Sequence, residues 1–161
     1  MTITTYNSFF IRTFALVFII SLTSCGGSKH LAKESKAQQI STYAQSFLGT
    51  SYRYGGTNSS GMDCSGLVYR AFYRHGIELP RTSRDMSKMG KKTKLKKAIV
   101  GDLVFFRTSK KGRGINHVGL VIKADGRNTR FIHSTTSQGV VVSSLNQKYW
   151  KKSFKFVKRV L

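Results

Sequence analysis

Asp63, Cys64, Ser65 and Gly66 place a thiol directly after a carboxylate that can cap a helix. An N-cap aspartate accepts from the free N–H groups of the first helical turn. Downstream, Leu67, Val68, Ala71 and Phe72 recur at helical spacing, and Gly76 closes the pattern as a C-cap. Cys64 then falls in the first turn, where the helix dipole and unpaired amides favour a thiolate. The expectation is a nucleophilic thiol whose pKa lies below the ordinary value of roughly 8.5.

A thiol nucleophile needs a base, and the base needs a group that orients it. The chain has four histidines. His30 lies near the N-terminus, and His75 is expected at the surface near the end of the Cys64 helix. His117 opens the apolar run that continues through Ile122, and His133 ends the run Phe131-Ile132-His133. Two antiparallel strands joined through the Asp125-Gly126 turn bring these imidazoles side by side, in the order thiol, base, orienter. Singly the residues say less: a lone cysteine is more often an inert buried hydrophobe.

The elements that must position these groups follow from periodicity. Ala37, Ile40, Tyr43, Ala44, Phe47 and Leu48 predict an amphipathic helix stopped by Gly49. A Gly-, Ser- and Asn-rich loop over 49–62 leads to the Cys64 helix over 64–75. Pro80 fixes a turn, and a short helix is expected around Arg84–Met89. Apolar runs predict strands over 102–106, 118–122, 131–133, 139–142 and 154–160. The last alternates apolar and basic residues, so one of its faces is expected to be wet. Helices first and strands second make one α+β domain over 37–161, its N-terminal helices packed on a C-terminal antiparallel sheet.

Residues 1–24 read as a signal peptide. Arg12 is their only charge, and the apolar run Phe14–Ile20 is shorter than the about 20 residues that span a bilayer. Leu22-Thr23-Ser24-Cys25 resembles a bacterial lipobox, which implies cleavage before Cys25 and a diacylglycerol thioether on its sulfur. Residues 25–36 are then a lipidated cysteine and a flexible tether. Gly26 after the cysteine resembles lipoproteins sent to the outer membrane, so the chain is expected to be lipid-anchored there, facing the periplasm. The alternatives are an ordinary secretory signal or a short buried helix. With Cys25 as anchor, Cys64 is the one thiol left and no intramolecular disulfide is possible.

Composition narrows the function. The net charge is +22, from 28 Lys and Arg against 6 Asp and Glu. The six acids form no close pair in sequence, which argues against a two-carboxylate glycosidase. No Cys pair or His-x-x-His spacing suggests a metal. Basic clusters over 91–97, 110–113 and 151–159 suit anionic lipid head groups and cell-wall polymers. Nucleic acid is set aside, because an exported chain without an aromatic-basic string or helix-turn-helix pattern offers nothing to read it.

The strings YRYGGTNSSGMDCSGLVYRAF, LPRTS, GDLVFF, HVGLVI and FIHSTTSQGV, in this order, resemble the NlpC-type family of bacterial cell-wall cysteine peptidases. The likeness runs over 37–161, and the tail SSLNQKYWKK is similar to the murein endopeptidase lipoproteins within that family. It implies a papain-like fold with Cys64 as nucleophile, His117 as base and His133 as the orienting residue. It also places the family's active-site tyrosine on Tyr52, twelve residues before Cys64, as a donor to the developing oxyanion beside the Cys64 backbone N–H. Asp63 and Ser65 become candidate groove residues, while Tyr54 is expected to pack the loop. No cofactor is implied. The expected reaction is hydrolysis of a peptidoglycan stem-peptide amide by a monomer, first the D-alanyl–meso-diaminopimelate cross-link. The D-glutamyl–diaminopimelate bond is the alternative, with acyl transfer or non-catalytic wall binding as further readings.

Overall fold

The structure is a computed structural model that describes residues 27–109 and 114–161. The expected signal peptide, Cys25 and the basic cluster over 110–113 lie outside these residues. Helix α1 spans Gly27–Gln45 and thus begins ten residues before the apolar periodicity does. The helix ends at Gln45, and a turn carries the chain on through Gly49 at a positive φ of 82°. Ala37, Ile40 and Ala44 form its buried stripe, while Leu48 is exposed.

Two short strands, β1 (Thr57–Asn58) and β2 (Gly61–Met62), form a hairpin ahead of helix α2 (Cys64–Tyr73). Helix α3 is a single turn over Ser83–Met86, capped by the Thr82 side chain, which accepts from the Asp85 N–H. The remaining strands are β3 (Lys91–Thr93), β4 (Leu103–Phe106), β5 (His117–Lys123), β6 (Arg130–Thr135), β7 (Gly139–Ser144) and β8 (Phe154–Arg159). A helix α4 (Lys148–Ser153), absent from the expectation, sits between β7 and β8. Glu34–Leu161 form one compact unit.

The sheet has the order β3-β8-β4-β5-β6-β7, with every pair antiparallel. One core cluster joins Ile40, Ala44, Leu67, Val68 and Phe72 of the helices to Leu103, Phe105, Val118 and Ile132. A second, on the opposite face, gathers Val104, Phe106, Val121, Phe131 and Val157 under Trp150 of α4. β4 and the start of β5 are therefore buried on both faces, which is why they read as unbroken apolar runs. β8 corrects the expectation of a wet face. It lies inside the sheet between β3 and β4, and its consecutive residues Phe156 and Val157 point to opposite faces, one against each core.

Candidate active site

Asp63 begins α2 as expected, its Oδ1 accepting from the Gly66 N–H at 2.6 Å. The same carboxylate does more than cap. Oδ2 accepts from the Gly55 N–H at 2.8 Å and from Arg81 Nη2 at 2.7 Å, and Oδ1 accepts from Arg81 Nη1 at 2.9 Å. Arg81 Nη1 also donates to Ser65 Oγ at 2.9 Å, and the Ser65 hydroxyl donates to Asp63 Oδ1 at 3.1 Å. Arg81 comes from the LPRTS segment and was not among the expected site residues. It clamps the loop before α2 to the helix start, so that Tyr52 and Cys64 are held in one frame. Gly66 completes the clamp: a Cβ there would lie 2.0 Å from the Gly56 carbonyl oxygen, so only glycine lets the loop approach.

The thiol of Cys64 is half-buried and unpaired in any disulfide. Burial pushes its pKa up, and the Asp63 carboxylate adds to the rise, against the pull of the Val118, Ser65 and Cys64 N–H groups. This overturns the expectation of a depressed thiol pKa. A helix N-terminus contributes roughly 0.3–1 kcal/mol to a nearby anion. Removing an anion from water costs up to several pKa units at about 1.4 kcal/mol each, and a neighbouring carboxylate adds repulsion. At rest the sulfur is a thiol.

The histidines behave as their strands predicted. β5 and β6 pair antiparallel, and His117 Nε2 lies 2.9 Å from His133 Nδ1 with the rings at 89°. His133 is fully buried, and its Nε2 lies 2.9 Å from Ser143 Oγ on β7. Trp150 of α4 stacks on His117 at 5.2 Å and meets the His133 ring edge-on at 4.5 Å. Phe106 and Phe131 close the other sides. Gly119 leaves room for Phe131, since a Cβ would sit 2.5 Å from its ring. Within this apolar box burial lowers the pKa of His117 to about 4, and burial with the His117 charge lowers that of His133 to about 3. Both imidazoles are neutral at pH 7.

Ser143, Trp150 and Phe106 were missed as site residues. Trp150 sits in the quoted tail motif, and only the fold reveals that the tail returns to cover the histidines.

Two clefts of about 430 and 440 Å³ meet at Tyr52, Cys64 and Asn116. One runs past His117, Ser134 and Tyr149; the other runs past Asp63, Ser65 and Arg81. Asn116 Oδ1 accepts from the Thr108 N–H at 2.8 Å, which fixes the shared wall. Burial raises the pKa of the Tyr52 phenol, and the Cys64 and Asp63 charges raise it further, so it remains a hydrogen-bond donor. Tyr54, expected to pack the loop, is instead 89% exposed at the cleft rim. His75 is half-buried against Tyr43 and lies outside both clefts.

The model of the NlpC/P60 family matches residues 49–159. The chain is 42% identical over 127 residues to the murein DD-endopeptidase MepS/murein LD-carboxypeptidase of Escherichia coli K12, covering 78% of this chain and 63% of that one. It therefore spans less than two thirds of that relative's length. It is 36% identical to a probable endopeptidase of Haemophilus influenzae, covering 96% of this chain and 98% of the relative. Among solved structures, an NlpC/P60 family protein from Bacillus cereus superposes with a TM-score of 0.70 at 30% identity, over 78% of this chain and 40% of that one. The papain-like arrangement of helices on an antiparallel sheet is common to both.

Proposed function

Because the chain belongs to the NlpC/P60 family, we propose that it is a cysteine peptidase that hydrolyses stem-peptide amides of peptidoglycan. The observation that carries this reading is that Cys64 and Tyr52 stand where two clefts join, with His117 of the neutral imidazole pair lining one of them. A peptide laid through both clefts presents its scissile carbonyl to Cys64.

With His117 Nε2 engaged by His133, Nδ1 is the ring nitrogen left to take the thiol proton. As Cys64 Sγ attacks the carbonyl carbon, the proton passes to His117 Nδ1. The negative charge gathers on the carbonyl oxygen, where the Tyr52 hydroxyl donates. His117 then gives the proton to the leaving amine, and the thioester remains on Cys64. Water, deprotonated by His117, cleaves the thioester and returns the thiol. For Nδ1 to accept, Nε2 must carry hydrogen and donate to His133 Nδ1. His133 then holds its own hydrogen on Nε2 and donates to Ser143 Oγ, whose hydroxyl can accept it.

The bond assigned first is the D-alanyl–meso-diaminopimelate cross-link, in keeping with the endopeptidase named in the relative from E. coli. Digestion of purified sacculi by the full chain, with Cys64→Ala as the blank, is expected to convert cross-linked dimers to monomers. Products ending in D-glutamate with dimers intact would move the assignment to the D-glutamyl–diaminopimelate bond. No release of stem peptides at all would defeat the enzymatic reading. The lipobox-like residues 22–25 further support processing at Cys25 and anchoring in the outer membrane. Cys25→Ser should then appear in the soluble fraction while retaining activity.

A further inference from the structure

Between Asp85 and Asp102 the chain has no acidic residue and carries six lysines. Five of them, Lys91, Lys92, Lys94, Lys96 and Lys97, are exposed and have no acidic partner among the described residues. They are not a loose run. β3 is an edge strand, and its register sets Lys91 opposite Arg159 and Lys92 opposite Lys158. Like charges directly opposite on paired strands are destabilising. A sheet edge needs a charge or two to resist aggregation, and this one carries more than that purpose explains.

The segment is also held rigidly. Gly90 adopts φ of 65° and packs so close to Arg159 that a Cβ would lie 2.1 Å from its carbonyl oxygen. Arg159 Nη2 donates to the Lys97 carbonyl at 2.9 Å, and its guanidinium pairs with buried Asp102 at 2.8 Å. Lys92 lies over the Phe156 ring at 5.5 Å. At either end of the lysines, Met89 and Ile99 expose apolar side chains. The turn over Gly126–Asn128, with exposed Arg127 and one acid, Asp125, packs against Leu95–Lys97.

We propose that this ledge, Lys91–Lys97 with Met89 and Ile99, is a docking surface for an anionic lipid bilayer. A soluble polyanion would be served by the lysines alone, whereas cations flanked by exposed aliphatic side chains suit a head-group region with hydrocarbon beneath it. Position supports the same occupant. Lys158 pairs with Leu103 at one end of β4, while Phe106 pairs with both His117 and Phe154 at the other. Phe154 to Arg159 spans about 17 Å of strand. The ledge and the catalytic histidines thus sit at opposite ends of the sheet, and docking turns the clefts away from the lipid. The inference depends neither on the bond cleaved nor on a lipid at Cys25.

The test compares full-length chains carrying Cys25→Ser, so that the apolar segment 14–20 is common to all. One adds Lys92→Glu, Lys94→Glu and Lys96→Glu; a control adds Lys151→Glu, Lys152→Glu and Lys155→Glu, an equal change of charge elsewhere. Sedimentation with vesicles of equal phosphatidylglycerol and phosphatidylcholine should weaken about ten-fold or more for the ledge variant and less than about three-fold for the control. Equal losses in the two would show a diffuse charge effect and overturn the ledge. Loss of binding to dextran sulfate or sacculi with vesicle binding unchanged would assign it to a soluble polyanion instead. If the ledge variant fails to fold, Lys94→Gln with Lys96→Gln and Lys97→Gln replaces it. An environment-sensitive dye on Ile99→Cys, in a chain also carrying Cys64→Ala, should shift to the blue on these vesicles, while one on Tyr149→Cys should not. A shift at both positions, or at neither, would overturn the orientation.

Discussion

His117 Nε2 and His133 Nδ1 face each other at 2.9 Å inside an aromatic box roofed by Trp150. Because burial keeps both rings neutral at rest, His117 has a lone pair free to take the thiol proton. The order of hydrogens along thiol, His117, His133 and Ser143 follows from the proposed role of His117 Nδ1 as base, and each member can be tested by what replaces it.

His117→Ala should be as damaging as Cys64→Ala, about a thousand-fold or more in kcat, because the two act as one unit. His133→Asn should do better than His133→Gln or His133→Ala. Asparagine Oδ1 lies as many bonds from Cβ as histidine Nδ1, the atom that meets His117. Initial rates on a soluble stem-peptide dimer would decide; equal loss in all three variants would remove the orienting role of His133.

Ser143→Ala should lower kcat about five- to ten-fold with KM unchanged, the effect of one neutral hydrogen bond of about 1 kcal/mol. Ser143→Thr, which keeps the hydroxyl, should restore most of the rate. A merely structural serine would give a lower thermal midpoint with kcat intact.

The raised thiol pKa of Cys64 gives an alkylation prediction. In the Cys25→Ser chain, iodoacetamide should label Cys64 more slowly than a free thiol at pH 7. The rate should still be climbing above pH 9, past the ordinary thiol midpoint of about 8.5. Labelling faster than a free thiol at neutral pH would establish a resting thiolate and contradict the neutral pair.

What the sequence made legible was what short-range pattern controls. The α2 start, the β5–β6 pairing and the meeting of His117 with His133 follow from one cap, one turn and two apolar runs. Ser143, Trp150 and Arg81 were hidden because each acts on a group at least ten residues away in the chain. A serine in a valine-rich strand looks like any strand residue until its partner is known. The thiol pKa was misjudged for the same reason: the cap and first turn are local, but the burial that dominates comes from β5 packing over Cys64. β3 and α4 were missed because lysine-rich strings carry little apolar period.

The Asp63–Arg81 clamp should matter for stability and rate together. Arg81 has a side chain 36% exposed, so solvent screening limits its loss to about 1–2 kcal/mol. Asp63→Ala should cost about 1 kcal/mol more, because the cap of α2 goes with it. Both should slow turnover by letting the Tyr52 loop drift from Cys64. Urea denaturation of the two single variants and the double variant would measure the coupling, and strict additivity would mean that the clamp does not operate.

The same groups fix how the fold responds to acid, in two separate windows. His117 and His133 have folded pKa values of about 4 and about 3, below the ordinary 6.5. As pH falls below 6.5 the unfolded chain takes up protons that the folded chain refuses, so stability drops until the folded values are reached. Asp63 gives the second window. Burial alone would raise its carboxyl, but the Arg81, Gly66 and Gly55 hydrogen bonds hold it below the ordinary 3.8. Its contribution is therefore intact above pH 3.8 and is lost only as pH falls further. Thermal midpoints measured from pH 8 to pH 3 should be flat above about 7, fall between about 6 and 4 through the histidines, and go on falling below 4 as Asp63 takes over. In His117→Gln the decline between 6 and 4 should shrink while the step below 4 persists; in Asp63→Asn the reverse should hold. A wild-type midpoint unchanged between pH 7 and pH 4 would show that the histidines are not buried as neutral rings.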